Sequence, residues 1–194
     1  MTNPVITTAT RSDESRIASV LTLAFASDPV LRWMYPDPLR YFMHFSEFVR
    51  HFGGRAFDAG SAYMVDGGSA CALWLPPGTN PDGEALANFI ERTVAGDCRA
   101  ALFEMFKRMG GYRPDEPYWY LPLIGVDPAR QGRGLGSVLL QHGLTKCDQD
   151  RRRAYLGSCN PRNITVYQRH GFELLGTVSV GTGPAMYPMV RRPR

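Results

Sequence analysis

A short segment with three alternating glycines is the strongest chemical signal in this sequence. It reads Gln131-Gly-Arg-Gly-Leu-Gly-Ser137 and follows an apolar run from Tyr118 to Val126. Glycine carries no Cβ, so the backbone of such a segment can fold closely around a ligand. The residues from Gly134 to Asp148 predict a helix, whose unpaired N–H groups and dipole favour an anion at its start. The segment therefore predicts a diphosphate site between a strand and a helix.

Spacing separates this segment from two other phosphate-binding motifs. A Walker loop needs Gly-Lys-Ser/Thr at a fixed distance after its first glycine, and none of these glycines is followed in that way. A dinucleotide fingerprint that begins at Gly132 or Gly134 would need glycine where the sequence has Ser137 or Leu139. A glycine-rich turn without a ligand is the remaining alternative.

Apolar patterning predicts one mixed α/β domain, residues 1–194, with helices on both faces of a sheet. The predicted order is strand, two helices, two strands, helices, strand, helix, strand, helix, strand, strand. The strands are predicted at Val5 to Ala9, Tyr63 to Val65, Cys71 to Leu75, Tyr118 to Val126, Arg153 to Leu156, Phe172 to Val180 and Ala185 to Val190. Turn residues at Asp66-Gly67-Gly68 and at Gly181-Thr-Gly-Pro184 predict two hairpins.

Two helices are predicted before the first hairpin, with an irregular loop between them. The first ends at Ser27-Asp28-Pro29, and the loop then carries Trp33 and Tyr35. The second helix is expected to bury one aromatic side made of Phe42, Phe45, Val49 and Phe52. Later helices are predicted around Leu86 to Val94, Leu102 to Met109 and Asn160 to His170.

Composition excludes several other classes of protein. Of the 194 residues, 44% are apolar and 21% charged, which is typical of a globular protein, and no run approaches membrane-spanning length. The net charge of +4 favours an anionic ligand, but the basic residues are too scattered to predict nucleic-acid binding. The four cysteines and four histidines lack metal-ligand spacing, so no metal is expected. Met1 to Thr10 lacks the apolar core of a signal peptide, and we expect a cytoplasmic protein with reduced thiols.

The glycine segment and a second block together resemble a known family. The string Val126-Asp-Pro-Ala-Arg-Gln131-Gly-Arg-Gly134-Leu-Gly136 is similar to the acetyl-CoA signature of the GCN5-related N-acetyltransferases (GNAT). The second block is Asn160-Pro-Arg-Asn163, then Tyr167 and His170-Gly-Phe172. Glu116 to Leu121, Ala72-Leu-Trp74 and Ala24-Phe25 further resemble the puromycin N-acetyltransferase branch of that family.

The resemblance implies a twisted, mostly antiparallel sheet in which a central pair of strands splays apart to hold acetyl-CoA. Pantetheine would lie along Ile124, Gly125 and Val126, and Asn160 would also reach it. The Val126 N–H would donate to the thioester oxygen, where negative charge develops. The expected pyrophosphate residues are Gln131, Gly132, Arg133, Gly134, Leu135, Gly136 and Ser137.

The resemblance also implies direct transfer of the acetyl group, with Tyr167 as general acid for the departing thiolate. A tyrosine that only packs in the core is the alternative for Tyr167. Relatives often carry a glutamate as base on the strand after the signature helix, where this sequence has Gly157. Asp28 and Glu116 are then the candidates for the base, unless water removes the proton, and each could instead serve only in a turn or a cap.

The acceptor is the least constrained part of the prediction. Trp33 and Tyr35 are the best aromatic candidates for its pocket. We expect a small molecule with a primary amine, such as an antibiotic, an aminonucleoside or a metabolite. A protein N-terminus or lysine is the alternative acceptor, and a non-catalytic acyl-CoA-binding module is the alternative function. A homodimer is one assembly that the sequence allows.

Overall fold

The computed structural model describes residues 4–194, so Met1, Thr2 and Asn3 of the N-terminal segment lie outside it. Within residues 4–194, seven strands form one sheet; numbered along the chain, they lie in the order β1-β2-β3-β4-β5-β7-β6. Every neighbouring pair is antiparallel except β4 and β5, which run parallel. The predicted mixed, mostly antiparallel sheet is therefore confirmed. The strands are β1 (Ile6–Thr8), β2 (Ala62–Val65), β3 (Ala70–Leu75), β4 (Trp119–Val126), β5 (Ala154–Ser158), β6 (Glu173–Leu174) and β7 (Tyr187–Arg191).

Helices cover both faces of the sheet, as predicted. One core lies under α1, α3, α5 and α6 and is built around side chains such as Ile17, Phe45 and Leu73. The second core lies under α7, where Leu139 and Leu144 pack against the opposite face. The helices are α1 (Glu14–Ala24), α2 (Pro29–Met34), α3 (Pro38–Gly53), α4 (Arg55–Asp58), α5 (Gly83–Thr93), α6 (Gly96–Gly110), α7 (Leu135–Gln149) and α8 (Ile164–Arg169).

The loop predicted after the first helix is instead largely helical, which corrects the prediction. Asp28 begins α2 because its side chain accepts hydrogen bonds from the N–H groups of Val30 and Leu31, at 3.0 and 3.1 Å. Pro29 suits the first turn, since its missing N–H would have no partner there. The Asp28-Pro29 pair therefore starts a helix as well as following one.

The buried face of α3 also differs from the prediction in part. Phe45 and Val49 are buried as expected, but Phe42 is 51% exposed. Tyr41 takes its place in the core, where its hydroxyl donates to the Thr22 carbonyl at 2.6 Å. A hydrogen bond between two segments decides this rotation, and helical spacing alone does not reveal it.

The C-terminal hairpin is present but shorter than predicted. Only Glu173–Leu174 of the expected strand Phe172 to Val180 forms β6. A single bridge between Val178 and Met186 continues the pairing towards the turn. The interruption shifts the register by one residue, which a pattern of apolar residues does not show.

A bulge in β4 is the feature of the sheet that matters most for the site. Leu73 of β3 pairs with Leu123, but Leu75 pairs with Tyr120, so β4 contains one extra residue there. Leu121 consequently packs in the core under α7, while Leu123 packs in the core under α1 and α3. Residues two apart on a regular strand share a face, so the bulge reverses the orientation of the strand beyond it. Pro122, which has no N–H to pair, lies at this point.

Candidate active site

The central strands β4 and β5 separate at the bulge. They pair from Trp119 to Leu121 on β4, yet β4 continues to Val126 with no partner on that side in the described part of the chain. The resulting gap agrees with the splayed pair that the family resemblance implied.

Backbone groups of β4 face this gap. The Asp127 N–H donates to the Ser69 carbonyl at 3.0 Å. This bond shows which alternate residues of β4 direct their backbone N–H and C=O groups towards β3. Alternate residues of an antiparallel strand point their N–H and C=O the other way, so those of Ile124 and Val126 point into the gap. The Gln131 side-chain amide donates to the Val126 carbonyl at 3.3 Å. The Val126 N–H is thus directed into the gap, where no strand pairs with it.

A cavity of about 400 Å³, which we call the β4 cleft, occupies the gap and continues to the start of α7. The end of α1, the Asp28 cap and α8 complete its walls. Six of the predicted cofactor residues line it: Ile124, Gly125, Val126, Gln131, Gly136 and Asn160. Gly125 also lets α1 approach β4, since a Cβ there would lie 2.8 Å from the Ala24 Cβ.

The glycine segment forms a tight turn before α7. Gly132 and Gly134 have φ values of +76° and +78°, in the left-handed region that favours glycine. Helix α7 begins at Leu135, so its first N–H groups have no helical acceptor. The side chain of Leu135 packs in the core, which leaves only its backbone for a ligand. Of the other predicted pyrophosphate residues, Arg133 is exposed and Ser137 is half-buried in the first turn of α7.

Asn160 and Arg162 form another part of the wall of the β4 cleft. The Asn160 side-chain oxygen accepts from the Arg162 N–H at 3.0 Å and caps a short 3₁₀ turn, as predicted for a cap before proline. Its NH₂ group remains available as a donor. Arg162, which the sequence did not single out, adds a positive charge to this wall.

Tyr167 on α8 lies where the β4 cleft meets a second, apolar space. This inner cavity of about 80 Å³ shares five residues with the cleft: Phe25, Asp28, Ile124, Asn163 and Tyr167. Burial raises the pKa of the Tyr167 phenol above its ordinary value, and Cys159 and Asp28 nearby raise it further. The phenol therefore stays protonated at neutral pH.

Asp28 lies at the same junction and is 9% exposed. Burial raises the pKa of its carboxyl to about 6, although the N–H groups of Leu31 and Val30 oppose this shift. Both of those hydrogen bonds end on Oδ1. The Oδ2 atom is thus the one placed to accept a proton.

The other predicted acceptor residues lie outside these cavities. Glu116 is exposed and forms an ion pair with Arg153 at 2.7 Å. The hydroxyl of Tyr35 bonds to the Thr93 hydroxyl at 2.7 Å within the core. Trp33 packs against the same core, beside Gly183. The structure therefore brings Asp28, but not Glu116, Trp33 or Tyr35, to the cleft.

Gly157, at the position where relatives often carry an acid, lies beside two methionines. A Cβ there would lie 2.7 Å from the Met109 Cε and 3.5 Å from the Met186 Cε. Methionine side chains thus fill the space next to the backbone where an acidic side chain would begin. Gly157 lines the inner cavity and also an outer cavity of about 410 Å³ between the sheet, α5 and α6.

Sequence reasoning missed the residues that wall these two cavities. Phe52, Phe106, Tyr120 and Met186 line both of them. They come from α3, α6, β4 and the C-terminal segment, so only the folded chain brings them together. Their sole signal in the sequence is a place on apolar faces, which core residues share.

The structure also bears on metal binding and on membrane-spanning helices. Within residues 4–194, no group of three or more His, Cys, Asp or Glu side chains is arranged to hold a metal ion. Over the same residues, no helix is long and apolar enough to cross a membrane.

Similar proteins share both the sequence pattern and the fold. An uncharacterised N-acetyltransferase of Schizosaccharomyces pombe is 25% identical over 174 residues, which cover 82% of this chain and 70% of that protein. A Corynebacterium glutamicum structure described as histone acetyltransferase HPA2 and related acetyltransferase has a TM-score of 0.69 at 24% identity, covering 100% of this chain and 98% of that one. The Drosophila melanogaster polyamine N-acetyltransferase has a TM-score of 0.67 at 14% identity, covering 98% and 100%.

The acetyltransferase (GNAT) family pattern matches residues 72–172, more than half of the 194 residues. The matched range runs from β3 past Tyr167 and contains the glycine turn, whereas Asp28 lies before it. The narrower resemblance to puromycin N-acetyltransferase stays a prediction. The chain belongs to the GNAT family and is an acetyltransferase.

Proposed function

We propose that the protein transfers an acetyl group from acetyl-CoA to the primary amine of a small molecule, and that transfer occurs at the junction of the β4 cleft and the inner cavity. One observation carries the proposal: the unpaired Val126 N–H, the Tyr167 phenol and the Asp28 carboxyl all border the same gap. These are the three kinds of group that acyl transfer to an amine requires.

The β4 cleft fits acetyl-CoA, the usual donor in this family. The glycine turn and the start of α7 offer backbone N–H groups to a diphosphate, and Arg162 adds a positive charge. A Cβ at Gly132 or Gly134 would meet no protein atom within 4 Å, so the space over the turn is open to a ligand. The backbone of Ile124 and the N–H of Val126, which face the gap, suit the amide groups of pantetheine. When bound, acetyl-CoA supplies the acetyl group as a thioester.

Two groups of the chain would act on the thioester and its leaving thiolate. The Val126 N–H would donate to the carbonyl oxygen as negative charge develops there. Tyr167 would donate its phenolic proton to the leaving sulfur, a role that suits a phenol kept protonated by burial. Burial also raises the pKa of the Cys159 thiol well above its ordinary value, so little thiolate exists at neutral pH. This favours direct transfer to the amine over an acyl-enzyme on Cys159.

Asp28 would take the proton from the attacking amine. A carboxyl with a pKa of about 6 is ionised at pH 7 and yet accepts a proton more readily than an exposed aspartate. Asp28 borders both the β4 cleft and the inner cavity, between the proposed donor and acceptor sites. Glu116 is a weaker candidate because its carboxylate is held by Arg153 at the surface.

The form of the acceptor space favours a small molecule over a protein. The inner and outer cavities are walled mainly by aromatic and aliphatic side chains, and Asp28 is the acid at their inner end. A lysine or protein N-terminus in a basic segment would be better served by an open acidic groove. The Drosophila polyamine N-acetyltransferase, which forms N-acetylagmatine, shares the fold and acts on a small amine.

The test is thiol release from acetyl-CoA with a panel of small amines and peptides, and product analysis by mass spectrometry. We expect turnover with at least one small amine and none with peptides. Turnover confined to peptides would overturn the small-molecule acceptor. Tight binding of acetyl-CoA with no acetylated product from any amine would instead indicate a binding module.

A further inference from the structure

The outer cavity opens on the side of the sheet that α5 and α6 cover, away from the glycine turn. Its volume of about 410 Å³ is within the range of small-molecule sites. Leu86 and Ile90 of α5 and Phe103 and Phe106 of α6 form one side. Tyr120 and Tyr155 of the sheet form the other. Such walls suit the apolar body of a ligand, and they leave polar recognition to the rim.

Gly157 lies where the outer cavity borders the inner cavity, and this boundary would be the passage for a ligand. It lines both the outer and the inner cavity, and the inner cavity contains Asp28 and Tyr167. A side chain at position 157 would project towards Met109 and Met186 and narrow the passage. The glycine at the position of the family's acid thus lies at the boundary between a peripheral pocket and the cavity that Asp28 and Tyr167 line.

Arg113 supplies the rim of the outer cavity with a positive charge. It follows α6, is exposed, and holds its guanidinium 5.6 Å from the centre of the Tyr120 ring. Arg108 and Arg153 nearby are paired with Glu104 and Glu116. Within residues 4–194, Arg113 forms no ion pair with a carboxylate. A guanidinium in this position is available to an anionic group of a ligand.

We propose that the acceptor is an amine with an apolar, aromatic body and a distal carboxylate, and that it enters through the outer cavity. The carboxylate would bind Arg113 at the rim. The amine would extend past Gly157 and reach Asp28. This inference rests on the proposed function and narrows it to one class of substrate. Arg113 acts in specificity only, since it lies on the rim and borders neither the inner cavity nor the β4 cleft.

The experiment compares kcat/KM for three amines with the same body: phenylpropylamine, which is neutral at its distal end, its para-carboxylate and its para-trimethylammonium analogue. We expect the carboxylate to be preferred over the neutral amine about tenfold, mainly through KM, which corresponds to about 1.4 kcal/mol and lies near the lower end for a charge-assisted hydrogen bond. The Arg113→Gln variant should lower that ratio to about one, and Arg113→Glu should favour the trimethylammonium compound. Arg108→Gln, which removes a paired cation on α6, is the matched control and should keep the wild-type ratio.

The passage is tested with Gly157→Ala and Gly157→Val. Both should lower kcat/KM for the para-substituted amines, the second more strongly, while the affinity for CoA stays within a few-fold. The added atoms meet only the flexible ends of two methionines, so the alanine variant should fold. If the wild type uses the neutral amine as well as the carboxylate, and Arg113→Gln changes neither, the inference is wrong and the proposed function stands. If no amine is acetylated, the proposed function fails and this inference with it.

Discussion

Replacing Asp28 with asparagine should make the protein more stable and less active. The side-chain oxygen of asparagine can still accept from the N–H groups of Val30 and Leu31, so the cap of α2 is kept. Asparagine carries no charge, however, and removes the burial of a carboxylate. It also removes the proposed base.

The size of the effect follows from the pKa of Asp28. Burial raises it from 3.8 to about 6, and each unit corresponds to about 1.4 kcal/mol, so the ionised carboxylate destabilises the folded state by at most about 3 kcal/mol. Because the folded pKa is the higher one, this destabilisation is absent below about pH 4, develops between about pH 4 and 6, and is complete above that range. For a chain of this length, it corresponds to a gain in Tm of about 6–12 °C in the Asp28→Asn variant.

The assay is thermal unfolding of wild type and variant between pH 4 and pH 8, together with kcat/KM at the same pH values. The Tm difference should be near zero at pH 4 and largest at pH 8. Wild-type kcat/KM should rise as the pH increases through about 6, because ionised Asp28 is the active form. The variant should lose about 10²-fold or more and lack that rise.

Asp37→Asn is the matched control. Asp37 also precedes a proline and caps a helix, by accepting from the Leu39 N–H at 2.9 Å, but it is exposed. We expect no comparable gain in Tm and no loss of activity. Equal Tm values of wild type and Asp28→Asn at pH 8 would refute the buried carboxylate, and full activity of the variant would refute its role as base.

Three further substitutions test the cofactor side and the packing. Tyr167→Phe should lower kcat by about 10²-fold, while the CoA affinity measured by calorimetry stays within a few-fold of wild type. An unchanged kcat would exclude Tyr167 as the general acid. Gly134→Ala should weaken CoA binding at least about tenfold and cost about 1–2 kcal/mol of backbone strain. Gly60→Ala, also at positive φ in open space, should change only the stability. Equal CoA affinities of the wild type and Gly134→Ala would contradict the diphosphate site at the glycine turn. Gly143→Ala should lower the free energy of unfolding by about 1–3 kcal/mol or more, because its Cβ would overlap the Trp74 indole, and Gly110→Ala, with open space around it, should not.

The sequence predicted the parts of the fold that depend on local signals. The hairpin of β2 and β3 followed from Asp66-Gly67-Gly68, and Asp66 and Gly67 do have positive φ values of 47° and 65°. The turn before α7 was predicted from its alternating glycines, because a tightly folded backbone favours glycine. In each case the residues that determine the structure lie within a few positions of one another, so no partner elsewhere in the chain is needed to predict it.

The missed features depend on partners distant in the sequence. The rotation of α3 is set by Tyr41 bonding to Thr22, and the bulge in β4 is visible only from its register with β3. Asp28 was one of two candidate bases until the fold buried it at the junction and left Glu116 at the surface. The sequence alone showed that Gly157 stands where relatives often carry an acid. That Met109 fills the space beside it could not be predicted, because this contact depends on where α6 packs.

The most direct test of the account is a two-substrate measurement with acetyl-CoA and small primary amines. We predict that thiol release saturates in both substrates and matches the acetylated amine mole for mole. In the Gly134→Ala variant, saturation should need at least about tenfold more acetyl-CoA. Thiol release that continues unchanged without amine, or acetyl-CoA bound in the β4 cleft with no acetylated amine formed, would contradict the account.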